Sequence, residues 1–339
     1  MIQTASVLPS PIHLGVELSR RYFPAAAARM GEALPILLRP LLADADDPVR
    51  WGLSLLTDGG YPFEFTFTTS NDGIRYTLEI APPRQSPGSR LTQALRVLRE
   101  LGCESFDEEG LAFLRQVQAG GNLRFGAWVG MRHNEGGSTH KVYAEVPPEG
   151  EAAAMEFLNS RLRRPVGVAG RFINLQMIGW QPATGGLEFY FRVYELRPWE
   201  MAALMHPLGL ESSDKAVFEL LQTVHGRPIH QRLPGPVCGF SYTLSPDGGD
   251  VAAPSPRTFT FYTLSETMFG DDAKARRKLL RYFDGLGVDM DFYAEMSAPA
   301  ALRPGRRTHH GMFGVTVGEG VAPVSHIGLR PPGGGLNVG

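Results

Sequence analysis

Pro62-Phe63-Glu64-Phe65-Thr66-Phe67-Thr68 runs into Ser70-Asn71-Asp72-Gly73 and returns as Ile74-Arg75-Tyr76-Thr77-Leu78-Glu79-Ile80. Apolar and polar residues alternate one by one in both arms, the period of a strand with one face in an apolar layer and the other face wet. The Ser-Asn-Asp-Gly cluster supplies residues that turn a chain sharply, so the stretch reads as an antiparallel hairpin. Its polar face carries Glu64, Arg75, Thr77 and Glu79 together.

Outward from this hairpin the pattern recurs. Strand pairs are predicted at 123–132 with 139–146, 172–180 with 186–196, 237–244 with 257–264 and 310–317 with 324–330. Gly, Pro, Asn or Asp mark each connection. Helical periodicity fills the gaps, at 13–44, 89–101, 107–118, 149–161, 198–205, 213–224, 271–286 and 289–296. Pro24 and Pro35 divide or kink the first of these. The repeat length, roughly 50 to 70 residues, is longer than a solenoid repeat. Ten amphipathic antiparallel strands satisfy themselves by closing into a barrel, with apolar faces against helices outside and polar faces lining a lumen. The predicted fold is therefore α+β, a ten-stranded antiparallel barrel of α-β-β-α repeats wrapped by helices. It is expected to form one domain over 1–330, with a flexible tail over 331–339. A Rossmann arrangement needs parallel, almost wholly apolar strands and a G-x-G-x-x-G turn, and the sequence has neither.

Composition agrees with this. Forty Gly and 27 Pro among 339 residues are more punctuation than a helical bundle needs, and 43% hydrophobic with 20% charged residues excludes global disorder. A formal charge of -2 offers no field for nucleic acid or an anionic membrane, so any anion site has to be local. Two cysteines, Cys103 and Cys238, are too few for a disulfide framework or a thiolate metal site. With no basic leader segment and no apolar run of membrane-spanning length, the chain reads as a cytoplasmic protein.

Strand parity lists the lumen: Glu64, Thr66 and Thr68; Arg75, Thr77 and Glu79; Arg124, Trp128 and Arg132; Lys141, Tyr143 and Glu145; Asn174, Gln176 and Trp180; Glu188, Tyr190, Arg192 and Tyr194; Thr258, Thr260 and Tyr262; and, with parity less defined, Met312, Thr316, His326 and Arg330. Several cations facing one cavity repel each other unless a highly charged anion sits among them, and a diphosphate suits both Arg forks and a Lys point charge. Interleaved Tyr and Trp rings offer π-faces to a cation. Leaving diphosphate beside an aromatic cation shield is what an allylic diphosphate requires. Glu64, on the same face, is placed to orient an N–H or O–H of a nucleophilic arene and to help remove the proton after attack.

The Pro62-Phe63-Glu64-Phe65 strand start, Arg75-Tyr76-Thr77, Lys141-Val142-Tyr143 and Tyr190-Phe191-Arg192-Val193-Tyr194 resemble the ABBA aromatic prenyltransferases, and among them the indole-prenylating, dimethylallyltryptophan synthase-like branch. The resemblance covers most of the chain through its five-hairpin order. It implies that Arg75, Lys141 and Arg192 bind diphosphate, that Tyr143, Tyr194 and Tyr262 contact or shield it, and that Glu64 holds the acceptor's ring N–H. It further implies transfer of a dimethylallyl or longer prenyl group from its diphosphate to an indole or tryptophan-derived acceptor in secondary metabolism. No magnesium or other cofactor is required on this reading. Trp128, Trp180, Arg124, Gln176 and Met312 are candidates for the acceptor pocket, and Tyr190 joins the shield. Two positions depart from the family pattern: Tyr190 stands where the first cation of Arg-x-Lys-x-Tyr is expected, and Gly328 where the last strand commonly carries Tyr. A lighter diphosphate clamp and a larger acceptor pocket follow, as in the family's peptide-prenylating relatives.

Each residue has a plainer reading. An Arg or Lys on a polar strand face can be merely solvated, Glu64 can pair with Arg75 across the hairpin, and Trp128 and Trp180 can be packing residues. Asp44-Ala45-Asp46-Asp47 and Asp271-Asp272 superficially resemble the Asp-rich metal motifs of other prenyl transfer, but they sit in a loop before Pro48 and at a helix start. His309, His310 and His326 lack ligand spacing. The alternatives are the same fold acting on a phenol, a naphthol or a side chain of a cyclic peptide and, from another class, a non-catalytic barrel that binds a hydrophobic ligand. Expected partners are the prenyl diphosphate and a small aromatic or peptide acceptor, with no nucleic acid and no membrane.

Overall fold

A computed structural model describes residues 8–42, 52–244, 258–302, 305 and 309–331. The acidic run at 44–47, the loop between the seventh and eighth strands and the tail beyond Pro331 lie outside the described residues.

Ten strands close into one barrel: β1 (Phe63–Thr68), β2 (Ile74–Leu78), β3 (Ala127–Asn134), β4 (Gly137–Glu145), β5 (Ile173–Trp180), β6 (Leu187–Tyr194), β7 (Val237–Leu244), β8 (Thr258–Leu264), β9 (His310–Gly318) and β10 (Val321–Leu329). Each strand pairs antiparallel with its neighbours in sequence, and β1 closes on β10 through Phe65↔Leu329 to Thr68↔His326. Around it lie α1 (Ser10–Tyr22), α2 (Pro24–Leu42), α3 (Arg90–Glu100), α4 (Glu108–Gln118), α5 (Pro148–Asn159), α6 (Met201–Met205), α7 (Asp214–His225), α8 (Ser265–Phe269), α9 (Asp272–Gly285) and α10 (Asp291–Ala301). The predicted first helix is two, divided at Phe23 with Pro24 opening the second, whereas Pro35 and Pro40 are accommodated inside α2. No described helix is long and apolar enough to cross a membrane.

The strands behave as their alternation requires. In β1 and β2 the apolar residues are buried, and the polar residues between them face the lumen, half-buried except for the buried Thr68. The buried set forms an aromatic layer: Phe63 stacks on Tyr76 with centroids 5.0 Å apart, and Phe67 meets Phe292 of α10 at 5.1 Å. Helix α1 presses so closely on β1 that a Cβ at Gly15 would lie 2.6 Å from Phe65 Cζ. The first hairpin turns through Asn71 (φ 41°) and Gly73 (φ 142°), backbone angles that Asn and Gly reach at least cost.

One expectation of parity fails, with consequences for the site. A bulge in β5 between Leu175 and Met177 makes Gln176 an extra residue, so Asn174 faces Arg192, Met177 faces Tyr190 and Gly179 faces Glu188. Beyond the bulge the faces exchange, because one inserted residue shifts a period of two by half. Trp180 therefore points outward. It is wholly buried, donates from Nε1 to Asp107 Oδ2 at 3.2 Å and tilts against Phe106, and so packs under α4 instead of lining the lumen.

Candidate active site in the barrel lumen

Lys141, in the middle of β4, is the centre of the lumen cluster. Its ammonium lies 5.6 Å from the Tyr143 ring centroid and 5.7 Å from that of Tyr190, distances at which a ring face attracts a cation. It bonds the Glu188 carboxylate and reaches Tyr190 Oη at 3.3 Å. Burial alone lowers the Lys141 pKa, but Glu188 and the Tyr143 hydroxyl outweigh it and hold the amine above its ordinary value. Glu188 is driven upward by burial and brought below the ordinary carboxylate range by Lys141, Ser241 and Tyr190. The pair is therefore ionised.

Three tyrosines line one another here. Tyr143 and Tyr190 meet edge to face at 5.7 Å, and Tyr190 and Tyr262 lie 6.1 Å apart. Burial, with Glu188 nearby, raises the phenols of Tyr190 and Tyr262 well above their usual pKa, so both stay protonated and able to donate. Arg75 faces Arg132 across β2 and β3, and Asp72 at the turn pairs with both guanidinium groups. Arg75 Nε is nonetheless buried with no hydrogen-bond partner among the described residues. Burial and then Arg132 pull the Arg75 pKa down. His326 completes the group, bonding Thr316 Oγ1 at 2.7 Å; burial and the cations Arg75 and Lys141 lower its pKa to about 4, so it is neutral.

The space these side chains occupy is made by glycine. A Cβ on Gly130 would lie 2.8 Å from Tyr143, one on Gly179 3.1 Å from Tyr190, and one on Gly314 2.8 Å from Tyr262. At these three wall positions the absent side chain leaves the room that the neighbouring tyrosine ring fills.

Glu64 stands apart from this cluster, one lumen position along from Thr66, the cross-strand partner of Arg75. It makes no salt bridge to Arg75, whose carboxylate partner is Asp72. Its carboxylate lies over the backbone of Gly328, where a Cβ would come within 2.6 Å of Oε1, and still closer to Gly311. Burial, with a small contribution from Asp58, raises its pKa to about 8.

The remaining expected residues divide. Arg192 holds the next lumen position on β6 after Tyr190 and has no ion-pair partner among the described residues. Tyr194, at the end of β6, is 46% exposed and joins no ring contact among the described residues. Trp128 faces inward, donating from Nε1 to Glu79 at 3.0 Å and stacking on Phe125 at 4.0 Å. Arg124 lies before β3, exposed, with its backbone N–H on Glu145. Gln176 is spent on the bulge and bonds Asn174. Met312 is 47% exposed near the start of β9. Asp271 caps α9 through the Lys274 N–H, and Asp272 is enclosed by the His309 and His310 N–H groups, so neither acidic side chain reaches the lumen. Among the described residues, no group of three or more His, Cys, Asp or Glu could hold a metal ion. Strand parity already brings Glu188 and His326 to the lumen, and the wall glycines are the functional candidates it does not single out. Alternation of Gly with Tyr or Lys across strand partners is the signal that marks them.

No family sequence profile and no curated protein matches this sequence. Solved structures do match the fold. The 5-dimethylallyltryptophan synthase from Streptomyces coelicolor superposes with a TM-score of 0.74 over 96% of this chain and 98% of its own, at 16% identity. The 6-dimethylallyltryptophan synthase from Micromonospora olivasterospora, solved with DMASPP and Trp, gives 0.70 over 95% and 96%, at 18% identity. Prenyltransferase PriB, solved with L-tryptophan and dimethylallyl thiolodiphosphate, gives 0.68 over 95% and 98%, at 16% identity. Together with the closed ten-strand order, these superpositions establish that the chain has the ABBA barrel fold.

Proposed function

We propose that this protein is an aromatic prenyltransferase that moves a dimethylallyl or longer prenyl group from its diphosphate to an indole-containing acceptor, without a required metal. The observation that carries the reading is Lys141 held between the Tyr143 and Tyr190 rings in a closed lumen, with the unpartnered Nε of Arg75 close by. A cation set inside an aromatic cage serves both halves of an ionisation. Arg75, Lys141 and Arg192 take up the charge that grows on the diphosphate as the allylic C–O bond breaks with its electron pair. Tyr143, Tyr190 and Tyr262 present π-faces to the allylic cation and keep water from it. A ring carbon of the acceptor then attacks the cation to form the new C–C bond, and loss of that carbon's proton restores aromaticity. Glu64 accepts the acceptor's N–H, which raises electron density in the ring, and its lumen-facing carboxylate can take up the departing proton.

The floor beneath Glu64 favours a bulky acceptor. With glycine at both 311 and 328 the carboxylate folds back against the wall, which leaves room for an indole carrying more than a free amino acid, such as one within a peptide. The test is direct: the purified chain is incubated with dimethylallyl or geranyl diphosphate and a panel of tryptophan, tryptophan-containing cyclic dipeptides, tyrosine and hydroxynaphthalenes. Product masses increased by one prenyl group, lost in Lys141→Ala, are expected. No product with any acceptor, alongside binding of apolar ligands that is indifferent to the diphosphate, would turn the reading to a non-catalytic ligand carrier.

A further inference from the structure

The lumen cations have an internal competitor. Glu188 is buried on the same wall as Tyr190, and its two oxygens are engaged separately: one by Lys141, the other by the Ser241 hydroxyl at 2.5 Å. The hydroxyl and the ammonium fix the carboxylate from two strands, β7 and β4, so it cannot swing away as an exposed side chain would. Asp72, the other carboxylate facing these cations, differs in kind. It sits on an exposed turn where solvent screens it, while the charge of Glu188 acts inside a low-dielectric enclosure.

An ammonium has three N–H donors. With one on Glu188 and one directed to Tyr190 Oη, Lys141 keeps one for a ligand, and a diphosphate that takes it must approach the Glu188 carboxylate. Two anions then share one cation. We infer that Glu188 is a positioning residue with a second effect: it holds Lys141 between the tyrosine rings and, as a resident counter-anion, weakens the grip of the lumen on diphosphate so that the diphosphate product can leave. The identity of the anion rests on the prenyl-transfer reading; the competition itself rests on the geometry. A clamp built from cations alone would hold inorganic diphosphate more tightly after each turnover, and release would slow the cycle.

The experiment is calorimetric titration of the full chain with inorganic diphosphate, in the original sequence and in Glu188→Gln and Glu188→Ala, each checked for cooperative melting. Both variants are expected to bind about tenfold tighter or more, as an unscreened like charge is removed. A residue that merely propped Lys141 would give the opposite sign, since its loss would free the lysine and weaken binding. Equal or weaker binding in folded variants therefore overturns the inference while leaving the prenyl-transfer reading standing. Absence of diphosphate binding in every form overturns both. If replacement of Glu188 prevents folding, Ser241→Ala carries the test: the carboxylate keeps its charge and loses the hydroxyl that disperses it, so diphosphate binding is expected to weaken, and unchanged binding counts against the counter-anion.

Discussion

The Glu64 carboxylate rests on Gly328: a Cβ at that glycine would stand 2.6 Å from Oε1 and 2.7 Å from the carboxyl carbon. Gly328 faces Thr66 across the β1–β10 seam, so the seam that closes the barrel also sets where the Glu64 carboxylate lies. Gly328→Ala is expected to push Glu64 off the wall into the lumen. The kcat/KM for the aromatic acceptor should fall about tenfold or more, as for other small displacements of a positioning group, while inorganic diphosphate binding at Lys141 stays as it was. Steady-state kinetics with the acceptor varied, paired with a diphosphate titration, checks both halves. Unchanged acceptor kinetics would remove Glu64 from the site.

A second expectation concerns pH. Burial holds Glu64 near pKa 8, and the carboxylate must be ionised to accept an acceptor N–H, so kcat/KM should rise with pH to a midpoint near 8 in the free enzyme. His326, near pKa 4, is already neutral, and Lys141, Tyr190 and Tyr262 are shifted upward, so these lumen groups do not titrate in that window. Glu64→Gln should abolish the rise. Stability gives an independent reading with a definite sign. The folded chain binds the Glu64 proton more tightly than the unfolded chain, so this group makes the fold less stable as pH climbs from the ordinary carboxylate range towards 8. Glu64→Gln should therefore gain in melting temperature over the original chain more at pH 9 than at pH 5, and an equal difference at both would contradict the raised pKa.

Much of this arrangement was legible in the residues. Strict alternation in Phe63–Thr68 and Ile74–Leu78 carried the barrel, because a strand with one wet face inside a helical shell needs a lumen. The same parity brought Arg75, Lys141, Tyr143, Tyr190 and Tyr262 to one cavity. Parity fails where one residue is inserted, and nothing local in Leu175-Gln176-Met177 announces a bulge, so alternation alone puts Trp180 on the wrong face. The pairing of Lys141 with Glu188 was hidden differently. The two are 47 residues apart and lie on strands that are not neighbours, β5 running between them, so side-chain reach across the lumen brings them together, and no sequence spacing encodes that.

Just beyond the end of β2 lies a buried ion pair. Arg90 of α3 donates to Glu79 at 2.6 Å, both side chains are buried, and Ser54 and Trp128 bond the other carboxylate oxygen at 2.9 and 3.0 Å. Burial still leaves the Glu79 pKa raised. Arg90→Leu strands that carboxylate and should cost about 3 kcal/mol or more in chemical denaturation. Adding Glu79→Gln to it should recover part of the loss, because the unpaired charge is gone. A double variant no more stable than Arg90→Leu would show that packing, not charge, dominates there.

Trp128 and Trp180 offer the sharpest check on the register of β5. Trp180 is outside the barrel, its N–H on Asp107, so Trp180→Phe should cost about 1 kcal/mol for the lost hydrogen bond and leave acceptor selectivity unchanged. Trp128 faces the lumen, with its ring on Phe125 and its N–H on Glu79. Trp128→Phe should also lose about 1 kcal/mol, but with a change in acceptor KM or in the ranking of acceptors, since the ring forms part of the inner wall. Measuring both variants against the same acceptor panel separates the faces. An altered acceptor ranking in Trp180→Phe with none in Trp128→Phe would mean that no residue is inserted at Gln176, and that the inner wall runs through Trp180 after all.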